Sequence, residues 1–153
     1  MENENNQLVS TDEMFMRQAL AEAAVAEQAD EVPIGAVIVG NGRVIARSHN
    51  LTETLNDVTA HAEMQAITAA AEALGGKYLT DCTLYVTVEP CPMCAGALGW
   101  SQISRVVWGV EDEKKGFRRF APKVLHPKTT TTQGVLADDC KEIMQRFFRD
   151  KRE

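Results

Sequence analysis

The stretch CTLYVTVEPCPMC, residues 82–94, constrains the fold more than any other. Its first seven residues are β-prone and bounded by turn formers, so they read as a buried strand. Pro90 suits the first turn of a helix, where its missing N–H costs nothing. A strand therefore runs straight into a helix start that carries Cys91 and Cys94. Two thiols at i and i+3 there point to one side, and the helix dipole favours thiolate over thiol. A strand-to-helix junction at the end of a helix-covered sheet is also where ligands usually bind.

The remaining segments supply the sheet and its cover. Ser10 and Glu13 form a capping-box pattern ahead of MFMRQALAEAAVAEQA, an Ala-rich helix, with residues 1–10 expected to be a flexible extension. IGAVIV and RVIARS flank Asn41-Gly42, a strong hairpin signal, and a polar loop follows from His49 to Thr59. From Ala60, the residues Met64, Ile67, Ala71 and Leu74 recur at helical spacing until Gly75-Gly76 stops the pattern. RVVWGV is a further strand, 114–128 a long basic loop, and ADDCKEIMQRFFRD a closing helix with Asp138 as its cap. Helices alternating with strands after a hairpin predict an α/β fold: a three-layer α/β/α sandwich around a central mixed β-sheet, in one domain over residues 1–153.

At 153 residues such a domain needs no disulfide. No apolar run approaches the ~18 residues of a membrane span, and the polar, acidic first residues do not resemble a secretory signal. The expectation is a cytoplasmic protein, no membrane contact and four reduced cysteines. The net charge of −6 hides an asymmetry: residues 1–113 carry 5 basic and 17 acidic side chains, residues 114–153 carry 11 and 5. A solvated loop and tail would explain it, and so would a polyanion-binding edge on an acidic body.

Cys91 and Cys94 alone fit a disulfide, a redox dithiol, a structural metal knuckle or a catalytic metal site. A knuckle needs a second short-spaced Cys or His pair, which the chain lacks, and Cys82 and Cys140 stand alone as packing residues. Thirty residues upstream lies His61-Ala62-Glu63. His61 supplies a third ligand, leaving one open position, which is the composition of a catalytic zinc site with Glu63 as the base for its water. Residues two apart on a helix diverge by about 200°, so both side chains face one point only if His61 lies at the very start of its helix.

His61-Ala62-Glu63 together with Pro90-Cys91-Pro92-Met93-Cys94 resembles the signature of the zinc-dependent nucleoside and nucleobase deaminases, the cytidine-deaminase-like superfamily. EVPIGAVIV, TAHAEMQAI, LYVTVEPCPMCAGAL, RVVWGVED and GVLADDC with FFRDKR resemble the bacterial tRNA-specific adenosine deaminases segment by segment, over nearly everything from Met14 to Arg152. The resemblance implies one Zn²⁺ held by His61, Cys91 and Cys94, and Glu63 as the proton shuttle. It implies hydrolysis of adenosine to inosine in a tRNA anticodon loop, at the wobble position, by a homodimer. It places substrate contacts at Asn50, Ala62 and Asp112. Leu51 departs from the Arg that often follows this Asn, and GFRRFAP at 116–122 is bulkier and more basic than the family's small-residue loop.

Charge adds phosphate contacts from Lys114, Lys115, Arg118, Arg119 and Lys123, and from Arg146, Arg149, Lys151 and Arg152. Ile143, Met144 and Phe147 follow a packing stripe, while Phe148 borders either core or RNA; Trp100 and Trp108 read as core or subunit contacts. The nearest rival is a small-molecule deaminase such as a guanine deaminase, against which the basic last quarter argues. A catalytically silent zinc protein that binds RNA has no need of Glu63, and a thiol oxidoreductase leaves His61 and Glu63 unexplained.

Overall fold

Side-chain alternation along three strands decides the layering. The computed structural model describes residues 2–152, as α1 (Glu2–Gln28), β1 (Gly35–Gly40), β2 (Arg43–His49), α2 (Ala62–Leu74), β3 (Cys82–Val88), α3 (Pro92–Ser101), β4 (Arg105–Val110), α4 (Phe117–Phe120), β5 (Thr130–Gln133) and α5 (Ala137–Arg152). Ala36, Ile38, Leu84, Val86, Val106 and Trp108 face one way and pack with Ala62, Ala66 and Ala70 of α2 and Ala95 and Leu98 of α3. Val37, Val39, Tyr85 and Val107 face the other and pack with Phe15, Met16 and Ala19 of α1 and Cys140 of α5. A period of two with both faces apolar forces a helical layer on each side of the sheet. The result is the expected α/β/α sandwich.

The strand order is β2-β1-β3-β4-β5. β1 pairs antiparallel with β2 and β3, while β3–β4 and β4–β5 are parallel, so the sheet is mixed. Asn41 (φ 53°) and Gly42 (φ 76°) make the hairpin turn, with Gly40 opposite Arg43. Both central residues at positive φ match the right-handed twist of the flanking strands. Gly35 lets β1 cross α1 closely: a Cβ there would lie 1.9 Å from the carbonyl oxygen of Ala19.

Several boundaries differ from the sequence pattern. α1 starts at Glu2, not behind a Ser10 cap, because ENENNQLV holds no Gly or Pro and extending a formed helix costs little. Asp12 is buried instead, accepting a bidentate pair from Arg105 (2.8 and 2.7 Å) and the Tyr85 hydroxyl (2.8 Å). The buried stripe of α2 is Ala62, Glu63, Ala66 and Ala70, and Leu74 is exposed; alanines let the helix sit close on the sheet, which moves the larger residues to its flank. Asp138 is in the first turn of α5, behind Leu136 at φ 52°, where it faces the helix dipole without being the cap. Inside the expected loop, Phe117–Phe120 forms one helical turn, and Thr130–Gln133 adds an edge strand that its polar sequence did not announce. No described helix is long and apolar enough to cross a membrane.

Candidate active site

Two helix N-termini meet at the ends of β3 and β2. His61 is the N-cap of α2 (φ −71°, ψ 156°), which meets the geometric condition set by its spacing from Glu63. Cys91 is the N-cap of α3 (φ −73°, ψ 169°), with Pro92 opening that helix and Cys94 one turn in. Neither cap side chain bonds its own helix. They converge instead: His61 Nδ1 lies 3.6 Å from Cys91 Sγ and 3.4 Å from Cys94 Sγ. The three donor atoms lie within 4.8 Å of one another, and His61 and Cys91 are half-buried while Cys94 is buried.

These distances pass a direct test for a soft divalent ion. Zinc–sulfur and zinc–nitrogen bonds of about 2.3 and 2.05 Å at tetrahedral angles place N and S about 3.6 Å apart. The electrostatics agree. Hydrogen bonds from Cys94 first, and then from His61, pull the Cys91 thiol down to about 4, against the cost of burial. The same hydrogen bond to Cys91 raises His61, and Cys94 is pushed well above an ordinary thiol. Cys91 is thus favoured as a thiolate beside two polar neighbours, a negative charge that a bound cation would neutralise. Cys82 and Cys140 are free and buried, as packing residues should be.

Glu63 is 4% exposed, and burial pushes its carboxyl up to about 7, with the Cys91 charge adding to the rise. A buried group that changes charge near neutrality is suited to carry a proton both ways. Glu63, His61 and Cys91 line a cavity of about 830 Å³ with Asn50, Ala62, Asp112, Lys114 and Phe148. Its apolar wall includes Ile34, Val88 and Val110. Asn50 is 5% exposed and donates to the Thr52 hydroxyl (3.3 Å). Behind it, fully buried Glu31 accepts the backbone N–H groups of Glu53 (2.9 Å) and Thr54 (2.6 Å), fixing the loop on that wall. Burial would raise the Glu31 carboxyl, but those hydrogen bonds outweigh it and hold it below its ordinary value.

Other expected contacts lie elsewhere. Arg149 is not among the lining residues, because residues 141, 144, 145 and 148 share the face of α5 toward the cavity and 149 is rotated off it. The Arg152 side chain lies outside the described residues. Arg146 is held by Glu27 (3.0 and 2.7 Å), Lys151 pairs with Asp30, and Arg118 binds Glu89. Met144 lines the cavity, while Ile143 and Phe147 are core. Asp112 accepts the N–H groups of Lys114 (3.2 Å) and Lys115 (3.0 Å), organising the loop that carries them. Trp108 is buried and Trp100 is 86% exposed. Sequence reasoning missed Lys141 and Gln145, although their spacing from Phe148 was a legible signal.

A mixed sheet that aims a His-x-Glu helix start at a Pro-Cys-x-x-Cys helix start defines a deaminase, and the model of the MafB19-like deaminases matches residues 10–152. The tRNA-specific adenosine deaminase of Agrobacterium fabrum (strain C58) is 48% identical over 90% of this chain and 94% of its own. A solved structure of a tRNA:A34 deaminase, studied for A-to-I editing at the wobble position, superimposes with a TM-score of 0.80 at 47% identity, covering 85% of this chain and 98% of that one. The guanine deaminase of Bacillus subtilis is 44% identical, but covers 65% of this chain and 64% of its own, with a TM-score of 0.62. The chain belongs to the tRNA-specific adenosine deaminases within the MafB19-like deaminase family.

Proposed function

We propose that this chain, as one domain over residues 1–153, hydrolyses adenosine to inosine at the wobble position of a tRNA anticodon loop. The observation that carries the reading is Glu63, buried with a near-neutral carboxyl in the cavity beside the His61, Cys91 and Cys94 donors. Zn²⁺, one per chain, would be held by those three and supply a water acidic enough to attack near neutral pH. Glu63 accepts a proton from the attacking water and delivers it to N1 of the adenine as the C6–O bond forms. It then carries the second proton to the exocyclic nitrogen, and the C6–N bond breaks to give inosine and ammonia.

A base inside a stacked loop is out of reach, so it must swing into the cavity, which is larger than a purine and open at a basic rim. Asn50 presents a buried amide to the base or ribose, and Ala62 places backbone beside it. Ile34, Val88 and Val110 exclude water. Lys114, Lys115 and Lys141 stand at the rim with no ion-pair partner among the described residues, which suits phosphates. A free base has no phosphate to recruit them, the argument against guanine as substrate. Free cysteines and a tRNA substrate favour the cytoplasm.

The deciding assay compares inosine formation in an anticodon stem-loop with turnover of free adenosine, adenine and guanine. Efficient guanine turnover without editing of the stem-loop would overturn the reading in favour of a guanine deaminase.

A homodimer belongs to the same proposal. On α3, Met93 and Trp100 are seven residues apart and share one outward face, with open space around Gly96 between them. A tryptophan at 86% exposure on such a face is a contact residue, not core. Trp100→Glu is expected to convert a dimer to monomers on sedimentation; a monomeric parent chain at micromolar concentration would refute the pairing.

A further inference from the structure

The basic segment that departs most from the family's loop is fastened to the residue two before Cys91. Glu89 is 5% exposed and lies just beyond the end of β3. Its carboxylate accepts the backbone N–H groups of Asp112 and Arg118 (3.2 Å each), and the Nε and Nη2 of Arg118 (3.1 Å each). Two further donors of Arg118 go to Gln133 (Nη1, 2.6 Å) and Glu111 (Nη2, 3.3 Å), and its guanidinium lies 5.1 Å from the ring centre of Trp108. The Phe117 N–H donates to the carbonyl of Pro90 (2.9 Å). Gly116 passes so close that a Cβ there would lie 2.4 Å from Glu89 Oε2. The fastened loop carries Lys114 and Lys115 on the cavity rim.

We propose that the Arg118–Glu89 fork is a latch: Arg118 is a positioning residue that holds the 112–119 loop so that Lys114 and Lys115 meet an RNA loop, and is not itself a phosphate contact. The inference rests on the function proposed above. An arginine whose Nε and both Nη2 donors are filled by two carboxylates, and one Nη1 donor by an amide, keeps a single Nη1 N–H and has no fork left with which to grip a phosphate. A planar fork fixes a loop in two directions at once, whereas a lysine fixes only a point. Arg118 thus converts a sequence feature that looks like charge for RNA into rigidity for its neighbours.

The test uses the zinc-loaded protein and its Arg118→Gln, Arg118→Lys and Lys114→Gln variants. Both Arg118 variants are expected to raise KM for an anticodon stem-loop about tenfold, with most of the effect outside kcat. Both should speed amide exchange at residues 112–118, while the dependence of log KM on log salt keeps the slope of the parent. Lys114→Gln, a phosphate contact, should lower that slope by about 0.7. The proposal is overturned if Arg118→Gln reduces the slope by a similar amount and Arg118→Lys restores it, or if loop exchange is unchanged in both variants. If the parent chain does not edit the stem-loop, the proposed function fails, and the exchange measurement alone decides for or against the latch.

Discussion

Glu63→Ala protein is expected to retain one zinc per chain and to lose about 10⁴-fold of its turnover of an anticodon stem-loop. Metal retention follows from geometry, since the three donor atoms are His61 Nδ1 and the Cys91 and Cys94 sulfurs, and the N-termini of α2 and α3 hold all three residues whether or not the Glu63 carboxylate is there to hydrogen-bond Cys94. Loss of turnover follows from chemistry. Glu63 is the acid in the cavity that burial pushes up to about 7, so it is as ready to give a proton as to take one. Two other carboxylates on the cavity are committed elsewhere, Glu89 to Arg118 and Asp112 to the N–H groups of its own loop. Glu63→Gln tests the same point at constant shape, because an amide fills the space but cannot shuttle a proton. Zinc analysis beside an inosine assay separates the outcomes, and an Ala variant editing within tenfold of the parent would remove Glu63 from the mechanism.

The parts of the fold that were legible in the sequence are those set by neighbours in the chain. Asn41-Gly42 between β-branched runs fixes its hairpin locally, and the strand-to-helix change that puts Cys91 at a helix start was legible too, although the first helical position is taken by Pro92 and the expected Pro90 lies just before the Cys91 cap. His61 and Glu63 were legible as a pair because their spacing allows one geometry only, with His61 as the cap. What escaped depends on partners far away in sequence. β5 is four polar residues that become a strand by completing the edge of β4. Arg146 reads as a free charge until α1, more than a hundred residues earlier, presents Glu27. Arg118 reads the same way until the end of β3 presents Glu89. Charge counting located the basic edge but could not divide it into arginines that hold the structure and lysines that face the cavity, because composition carries no information on pairing.

Cys94→Ser is expected to abolish both tight zinc binding and activity while leaving a folded protein. Two hydrophobic layers, one on each side of the sheet, hold the chain together without the site, so metal is not the nucleus of folding as it is in small zinc domains. Zinc still stabilises, because it binds the folded donors and not the unfolded ones: at 1,000 times Kd the gain is about 4 kcal/mol, and about 10 °C in Tm for a domain of this size. Removing zinc from the parent protein with a chelator should lower Tm by that order, with the circular dichroism of the folded state kept, and adding zinc back should restore both Tm and editing. A serine hydroxyl at position 94 stays protonated and is a poor ligand, so the Cys94→Ser protein should show neither the fall nor the recovery. Cys82→Ser is the control, a buried thiol outside the cluster, and it should keep the full zinc response. Ligation needs Cys94 as a thiolate, whereas the hydrogen bond to Cys91 and burial keep it a thiol in the metal-free cluster, so zinc affinity should weaken as pH falls, and the Tm gap between zinc-loaded and zinc-free protein should narrow with it. A Cys94→Ser protein that binds zinc as tightly as the parent and still edits would remove Cys94 from the ligand set and leave His61 and Cys91 in need of a different third partner.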